Sequence, residues 1–374
     1  MVVSHRLFWR IVTRGKGDDR VRIAFIANPE APGGWYRGIG PILALGERGH
    51  DICQVWRPED GIRGERARNY DVLHIYRAHE DEVLTIAKAA KQHGMTIIYD
   101  NDDDMRAVPR NNAAAKDYGG FAGNRALRQI RRLLQMADLA IASSQPIADR
   151  FREYGAENVR VIENYVPDEA VGVSAPPNGS QVVAGWLAGS EHHIDMERMP
   201  LRDVFERLLD AYPQLVIETV GVSMGMKHER YRNDPHVDFF KLPPKLAQFD
   251  IGLAPIADIP FNHARSSIKV KEYAAVGRPW LASPVGPYAP LGEREGGRLV
   301  PEDAWFEAIA RLVEKPRERR KLAKRARKWG REQAISANVE LWERALVDAI
   351  VRSGRTPRPP GKPREMSITR TVRV

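Results

Sequence analysis

Cysteine is almost absent from this chain: Cys53 is the single one among 374 residues. One cysteine excludes both an intramolecular disulfide and a multi-cysteine metal cluster. The apolar runs are short, and none approaches the roughly 20 residues that a membrane-spanning helix needs. The first residues do not combine a long apolar region with a small-residue cleavage site, as a secretory signal does. We therefore expect a protein of the reducing cytoplasm.

Positive charge is in moderate excess, with 58 Lys and Arg against 49 Asp and Glu and a net charge of +9. At roughly 100–200 residues per domain, the length predicts two domains. A hydrophobic content of 43% is sufficient for packed cores and excludes wholesale disorder. The basic segment 316–332 predicts an amphipathic helix. Its charges form either a solvated face or a surface that attracts anionic lipid or nucleic acid.

From Val21 onward, strands that are apolar on both faces alternate with amphipathic helices. This pattern predicts a parallel sheet covered by helices on both sides. We therefore predict a first doubly wound domain at 21–165 and a second of the same style at 181–330. Between them, 166–180 is rich in Pro, Gly and Ser and predicts a linker. A C-terminal helix is expected at 331–352, with a return towards the first domain as one arrangement.

The two ends of the chain are basic. Residues 1–20 also contain a short apolar patch, and two interpretations stay open. One is a frayed end or a short surface helix, and the other is an interfacial membrane contact in which arginines flank aromatic residues. Residues 353–374 are rich in proline and have no apolar period, which predicts a disordered tail.

The most informative segment is FNHARSSIKVKEYAAVGRPWLAS. Ser266 and Ser267 are favoured N-cap residues and predict that a helix begins there. Lys269 and Glu272 then share one face of that helix. An anion near its start would meet backbone N–H groups, the Lys269 ammonium and the Arg265 guanidinium, a combination that suits a diphosphate. Spacing alone also allows a capped helix with a surface Lys–Glu pair.

A glycine turn follows the first strand of the second domain. Gly189 and Ser190 offer backbone N–H groups to a diphosphate, or else they form a tight turn without a ligand. His192 and His193 come next, and we expect one of them, His193 in particular, to touch the phosphates or the sugar.

The first domain has an equivalent glycine turn. Gly33 and Gly34 follow its first strand, where close approach of the backbone to a ligand requires glycine. Next in the chain, Tyr36 and Arg37 either face a cleft and bind ligand or form an unrelated surface pair.

Carboxylates cluster after a later strand of the first domain, at Asp100, Asp102, Asp103 and Asp104. They are expected at the carboxyl edge of the sheet, where open α/β sheets bind ligands. Three interpretations are open: a site for Mg²⁺ or Mn²⁺, an acidic patch that recognises a substrate, and a solvated N-cap cluster.

These segments together resemble glycosyltransferase family 4 of the GT-B fold. The resemblance spans roughly residues 21–350. It is carried by DIGLAPI followed by 261–283 and VGPY, by GWLAGSEHH at 185–193, and by the loop and helix at 32–50. It implies two doubly wound Rossmann-like domains that face a central cleft, with the acceptor on the first and the donor on the second.

The resemblance implies transfer of a hexose-type sugar from a UDP- or GDP-sugar, with retained anomeric configuration and without a metal or other cofactor. The acceptor would be a glycan, a lipid-linked molecule or another polymer. Glu272 matches the second glutamate of the family's paired motif and would hold the ribose, while Lys269 and Arg265 would hold the diphosphate. Ala264 stands in place of the first glutamate, so either Asn262 or His263 would substitute in binding the sugar or the donor would be an unusual one.

A function of another class is also compatible with the sequence. A non-catalytic protein on the GT-B scaffold would use its basic surface to bind nucleic acid or anionic membrane. In either case the protein would be cytoplasmic, with peripheral contact at the inner face of the membrane as one location.

Overall fold

The computed structural model describes residues 8–13, 21–28, 33–55, 70–109, 115, 125–354 and 368–371. The chain divides into two compact units. The first unit comprises Met1–Asp102, Arg125–Ile162 and Val339–Val374, and the second comprises Asp103–Asn124 and Glu163–Asn338. Within the described part of the chain, we find no helix that combines the length and the apolar character of a membrane span.

The strands, in chain order, are β1 (Phe8–Thr13), β2 (Arg22–Ile26), β3 (Asp51–Gln54), β4 (Val72–Tyr76), β5 (Thr96–Asn101), β6 (Leu139–Ala142), β7 (Val159–Val161), β8 (Val182–Ala188), β9 (Leu215–Gly221), β10 (Tyr231–Asp234), β11 (Ile251–Ala254), β12 (Trp280–Ala282), β13 (Gly297–Leu299) and β14 (Ile368–Thr371).

The α-helices are α1 (Gly40–Glu47), α2 (Asp81–Gln92), α3 (Arg125–Met136), α4 (Gln145–Glu153), α5 (His193–Arg198), α6 (Leu201–Ala211), α7 (Leu242–Leu246), α8 (Pro260–Ala264), α9 (Ile268–Ala275), α10 (Trp305–Glu314), α11 (Pro316–Glu332) and α12 (Ile335–Arg352). A π-helical segment, Gly34–Ile39, leads into α1.

Each unit is built on one sheet. In the first unit the strand order is β14-β1-β3-β2-β4-β5-β6-β7, in which β1 is antiparallel to both of its neighbours and the other pairs are parallel. In the second unit the order is β10-β9-β8-β11-β12-β13, and all pairs are parallel. Every residue of β4, β5 and β8 is buried, as expected for strands with helices on both faces. The predicted pair of doubly wound units is confirmed.

The strand orders create one switch point in each sheet. In the second unit the chain runs from β8 to β9 on one side and later returns to β11 on the other side. In the first unit it runs from β2 to β3 and later to β4 on the opposite side of β2. The loops that follow the two diverging strands leave a crevice at the carboxyl edge, where open α/β sheets bind ligands.

The two basic ends differ from the sequence-based expectation. Strand β1 lies within 1–20, and strand β14 lies within the segment that was predicted to be disordered. They pair with each other, Phe8 opposite Thr371. Backbone pairing between distant segments leaves no hydropathy period, so composition could not reveal it. The interfacial membrane contact predicted for 1–20 stays a prediction, and most of 353–374 lies outside the described residues.

The borders between the units also differ from those predicted. The expected linker 166–180 is part of the second unit: Val166 pairs with Ala334, and the Gly172 N–H donates to the Ala275 carbonyl. The segment Asp103–Asn124 belongs to the second unit as well, since Val108 and Ala115 pack in its hydrophobic core. The described parts of both segments pack against or hydrogen-bond with parts of the chain far away in sequence.

From Val339 onward, α12 belongs to the first unit. Its Glu343 accepts a hydrogen bond from Nε of Arg48 at 2.9 Å and lies 3.1 Å from Nε2 of His50. Farther along, Asp348 forms an ion pair with Arg160 at 2.6 Å.

Candidate functional site

Two loops of the second unit are joined at the switch point between β8 and β11. One follows β8 and leads into α5, and the other follows β11 and leads into α8. Asp195 on α5 is completely buried and links them. Its Oδ1 accepts hydrogen bonds from the Ala257 N–H at 2.9 Å and from Nδ2 of Asn262 at 2.7 Å. Because a buried carboxylate needs such donors, this contact fixes both loops.

His192 contacts the second oxygen of the Asp195 carboxylate. Its Nδ1 lies 2.7 Å from Oδ2 of Asp195, and its ring packs edge-on against Trp186. Burial, together with the Arg265 charge, lowers the pKa of His192 although the Asp195 contact opposes this. The imidazole is therefore neutral at pH 7 with its proton on Nδ1, because Asp195 can only accept there. The lone pair of Nε2 then faces Nη2 of Arg265, 3.5 Å away.

A partly exposed carboxylate lies between two cations in front of this buried network. Oε1 of Glu191 is 2.9 Å from Nη2 of Arg265 and 3.8 Å from Nζ of Lys269. Arg265 precedes α9, and Lys269 lies in the first turn of that helix. Burial alone would raise the pKa of Glu191, but Lys269 and Arg265 outweigh it and hold that pKa well below its usual range. The carboxylate is ionised at every physiological pH.

Two buried polar atoms beside this cluster lack a hydrogen-bond partner within the described part of the chain. Nη1 of Arg265 and Oδ1 of Asn262 make no hydrogen bond to any residue that the structure describes. The Arg265 guanidinium is held over the Phe261 ring, 5.7 Å from its centroid. Unpaired buried polar groups are unfavourable, and a ligand that satisfies them recovers this loss.

The turn after β12 forms another side of the site. Burial, assisted by the charges of Asp195 and Glu272, raises the pKa of Tyr288, so its hydroxyl stays protonated. Gly286 has a φ of +54°, and a Cβ atom there would lie 2.6 Å from the Asn262 carbonyl oxygen. The backbone of this turn therefore approaches α8 as closely as glycine alone permits.

The structure brings three of the predicted site residues to one place. Arg265 and Lys269 share the Glu191 carboxylate, and Asn262 joins them through Asp195. Gly189 belongs to the same turn as Glu191.

Four other predicted residues of this unit have different surroundings. Glu272 is buried on α9, one turn beyond Lys269. Ser190 and His193 have exposed side chains. His263 is about half exposed, and its Nε2 lies 2.6 Å from Oδ1 of Asp258. The ligand roles of these residues stay predictions.

Sequence reasoning missed the anionic part of the site. Glu191 and Asp195 were not singled out, although the His192–Asp195 spacing of three residues was a readable signal for a helical side-chain pair. Lys271 was also missed. It is almost completely buried, whereas Lys269 two positions earlier is the lysine that reaches the cluster.

The glycines of the first unit have a steric role. A Cβ atom at Gly33 would lie 2.4 Å from the Tyr76 hydroxyl oxygen, and one at Gly34 would lie 2.2 Å from the Asn28 carbonyl oxygen. They let the π-helical segment pack against the ends of β2 and β4. Single π-helical turns are frequent at functional sites, but no contact described here assigns a ligand to these glycines.

Arg37 does not lie on the protein surface, which was one of its two expected locations, and its role as a ligand contact stays a prediction. Its guanidinium is completely buried, with Nε 2.7 Å from Oδ1 of Asp100 and Nη1 2.5 Å from the Ile162 carbonyl oxygen. Nε2 of His74 lies 3.4 Å from the other Asp100 oxygen. Arg37 is interior because Asp100, on a strand 63 residues away, supplies the compensating charge.

The carboxylate cluster after β5 is not a uniformly solvated group. Asp100 is the buried partner of Arg37, and Oδ1 of Asp102 accepts a hydrogen bond from the Tyr76 hydroxyl at 2.7 Å. Oδ1 of Asp104 accepts one from the Arg106 N–H. Among the described residues, no group of three or more His, Cys, Asp or Glu is arranged to hold a metal ion. Recognition of a substrate by Asp102, Asp103 or Asp104 stays a prediction.

The sequence matches no protein-family model and no curated protein sequence. The fold, in contrast, is similar to that of solved structures. Sucrose-phosphate synthase from Thermosynechococcus elongatus has a TM-score of 0.58 and 15% identity, and the alignment covers 88% of this chain and all of that one.

HepE of Anabaena, in complex with UDP-glucose, has a TM-score of 0.59 and 15% identity, with 89% of this chain and 100% of that chain covered. The α,α-trehalose-phosphate synthase (UDP-forming) of Burkholderia vietnamiensis has a TM-score of 0.57 and 11% identity over 91% of this chain and 100% of that one. At such identities the similarity concerns the fold alone. The predicted GT-B class is confirmed, whereas membership of family 4 and the central cleft stay predictions.

Proposed function

We propose that this protein is a glycosyltransferase that transfers a hexose-type sugar from a nucleotide-diphosphate sugar to a glycan, lipid-linked or other polymeric acceptor. The observation that carries the proposal is the pair of cations, Arg265 and Lys269, at the switch point of the second unit. An unpaired guanidinium nitrogen and the start of α9 lie in the same place. This is a combination that binds phosphate. The solved complex of HepE with UDP-glucose makes that sugar nucleotide the first donor to test.

The proposed chemistry follows from charge. When the bond between the anomeric carbon and the diphosphate breaks, negative charge grows on the departing oxygen and positive charge on the sugar. Arg265 is already oriented by Phe261 and His192, so it stabilises the leaving group with little reorganisation, and Lys269 adds its charge from the first turn of α9. Glu272 would hold the ribose of the donor, and Asn262 would use its unsatisfied Oδ1 to accept a hydrogen bond from a sugar hydroxyl. We infer retained anomeric configuration and no metal requirement from the family resemblance.

The first experiment measures release of UDP or GDP from UDP-glucose, GDP-mannose and related donors, with and without glycan acceptors. The Lys269→Ala variant should lose roughly a hundred- to thousandfold in rate, because a fixed charge at the leaving group is removed. Lys321→Ala, which removes an exposed lysine of α11, is the matched control and should keep full activity. Equal activity of Lys269→Ala and the wild type contradicts the proposal.

One observation favours a second candidate function, which is binding of a polyanion without catalysis. Helix α11 carries exposed basic side chains along its length, namely Arg317, Arg320, Lys321, Lys324, Arg327, Lys328 and Arg331. No large apolar side chain of this helix is exposed. Binding would therefore be electrostatic and would weaken steeply with salt. Titration with duplex DNA and with anionic vesicles at two salt concentrations distinguishes this function from donor turnover.

A further inference from the structure

Glu191 takes up the position at which the proposed function needs an anion. Its Oε1 contacts both cations of the site, at 2.9 Å to Arg265 and 3.8 Å to Lys269. A diphosphate that bound the same two side chains would have to share them with this carboxylate or replace it. About a quarter of the Glu191 side chain is exposed, so it has an open path to solvent.

The turn that carries Glu191 is built to let the carboxylate fold inward. A Cβ atom at position 189 would lie 2.3 Å from Oε2 of Glu191 and 2.9 Å from its Oε1. The backbone of Gly189 has φ −62° and ψ 175°, which any residue can adopt. Glycine is therefore needed here for the Glu191 rotamer and not for the backbone itself.

The surrounding network holds Arg265 independently of Glu191. Arg265 packs over the Phe261 ring and faces Nε2 of His192, and His192 is anchored by the buried Asp195. The backbone of Lys269 belongs to the first turn of α9, which places its side chain beside Arg265. When Glu191 turns outward, the Arg265 guanidinium with its unpaired Nη1 and the Lys269 ammonium are left for an incoming anion.

On this basis we propose that the Glu191 carboxylate occupies the anion site when no ligand is bound. A diphosphate must displace this carboxylate to bind, and anions that bind more weakly are thereby excluded. This rests on the proposed function, because it assumes that Arg265 and Lys269 bind the diphosphate of the donor. Displacing the carboxylate costs a similar free energy whichever anion binds. Weakly bound anions such as orthophosphate then fall below useful affinity, whereas a diphosphate, with more charge and more acceptor atoms, still binds.

The test is calorimetric titration of the full chain with inorganic pyrophosphate at low ionic strength. The Glu191→Gln variant should bind pyrophosphate roughly tenfold more tightly than the wild type, because pyrophosphate no longer has to break a charge-assisted contact in order to bind. It should also bind orthophosphate measurably. Glu206→Gln makes the same change of charge at an exposed site on α6 and should leave both affinities unchanged.

The Gly189→Ala variant provides an independent route to the same state. The added methyl group displaces the Glu191 carboxylate without removing its charge, so affinity for pyrophosphate should rise in this variant too. The double variant should gain little beyond Glu191→Gln, because both substitutions act on one contact. Without ligand, Glu191→Gln should melt at a lower temperature, and pyrophosphate should raise that temperature more than in the wild type.

Arg265→Ala separates this inference from the proposed function. Loss of pyrophosphate binding in Arg265→Ala, with no gain in Glu191→Gln, overturns the role of Glu191 and leaves the anion site intact. Unchanged binding in Arg265→Ala overturns the anion site itself, and the inference with it.

Discussion

Lys271 and Glu163 form an ion pair across 108 residues of sequence, with Nζ 2.6 Å from Oε2. The same ammonium donates to the Asn164 carbonyl oxygen at 2.9 Å and lies over the Tyr165 ring, 4.4 Å from its centroid. Its side chain is 2% exposed, whereas that of Glu163 is 57% exposed. This contact attaches the start of the second unit's main segment to α9, the helix that carries Lys269.

We therefore expect Lys271→Met to destabilise the second unit although it preserves most of the side-chain volume. The Asn164 carbonyl loses a charged donor, and the expected loss is about 1–3 kcal/mol. Glu163→Gln should have a smaller effect because its carboxylate is already solvated. Thermal unfolding measures both, with the exposed Lys321→Met as control. A melting temperature of Lys271→Met equal to that of the control would contradict this interpretation.

Asp195→Asn should damage the base of the candidate site. The asparagine amide must direct its NH₂ group towards one of the N–H donors that Asp195 now satisfies, either His192 or the pair from Ala257 and Asn262. We expect a loss of roughly 2–3 kcal/mol in unfolding free energy and a marked fall in pyrophosphate affinity. Nitrogen-15 NMR of the wild type should show neutral His192 with its proton on Nδ1. Observation of the Nε2–H tautomer would refute the geometry.

Acid should destabilise the ligand-free protein below pH 6.5. Burial lowers the pKa of both His50 and His192 from 6.5 in the folded protein. As the pH falls through this value, the unfolded chain takes up protons that the native protein does not, so the free energy of unfolding decreases. Melting temperatures between about pH 7.5 and about pH 5.5 measure the slope. The double variant His50→Gln/His192→Gln should show a shallower slope, and an identical slope would assign the effect to other groups.

A second acid transition is expected at lower pH. The hydrogen bonds of Glu318 with Arg311 and Arg298 hold its pKa at about 2. The pKa of Glu343 is also lowered, because its contacts with Arg48 and His50 outweigh the effect of burial. Their stabilisation is complete above pH 4.5 and is lost as the pH falls below it.

Gly286→Ala should impair anion binding from the far side of the site. Alanine is strained at a φ of +54°, and its Cβ atom would lie 2.6 Å from the Asn262 carbonyl oxygen and 2.8 Å from Cα of His263. Relief of this contact must shift α8 or the turn. The expected cost is about 1–3 kcal/mol of stability together with weaker pyrophosphate binding. Gly292→Ala meets nothing within 4 Å and serves as the matched control.

The regular parts of this fold could be predicted from the sequence because they are local. Strands such as β8 are apolar on both faces, and helix α9 begins close to the serines that signal a helix start. Even there the chemistry differs in detail. Ser267 makes no side-chain capping bond, and the Ser266 hydroxyl accepts a hydrogen bond from Nδ2 of Asn164. The backbone pattern was visible in the sequence, but the side-chain partners were not.

The two edge strands of the second sheet were missed for a related reason. β10 consists of Tyr231–Asp234, which is polar and only partly buried, and β13 has three residues. A strand at the edge of a sheet needs less apolar surface than a central one and leaves a weak period. Hydropathy alone therefore could not define them.

The charged contacts of the site could not be predicted because their partners are distant in sequence. Glu191 and Arg265 are 74 residues apart, and Arg37 and Asp100 are 63 apart. Local spacing predicts neighbours on one helix face, but such pairs arise only when the sheet brings two loops to the same edge.

Because the chain passes between the two units four times, neither of them corresponds to one continuous stretch of sequence. The partner of Arg48 on α12, Glu343, is translated 295 residues later, after the entire second unit. During synthesis the first unit therefore remains incomplete until the second unit has been translated. Premature termination before Val339 would remove the part of α12 that belongs to the first unit. A truncation late in the chain would therefore affect the unit that contains the N-terminal strands.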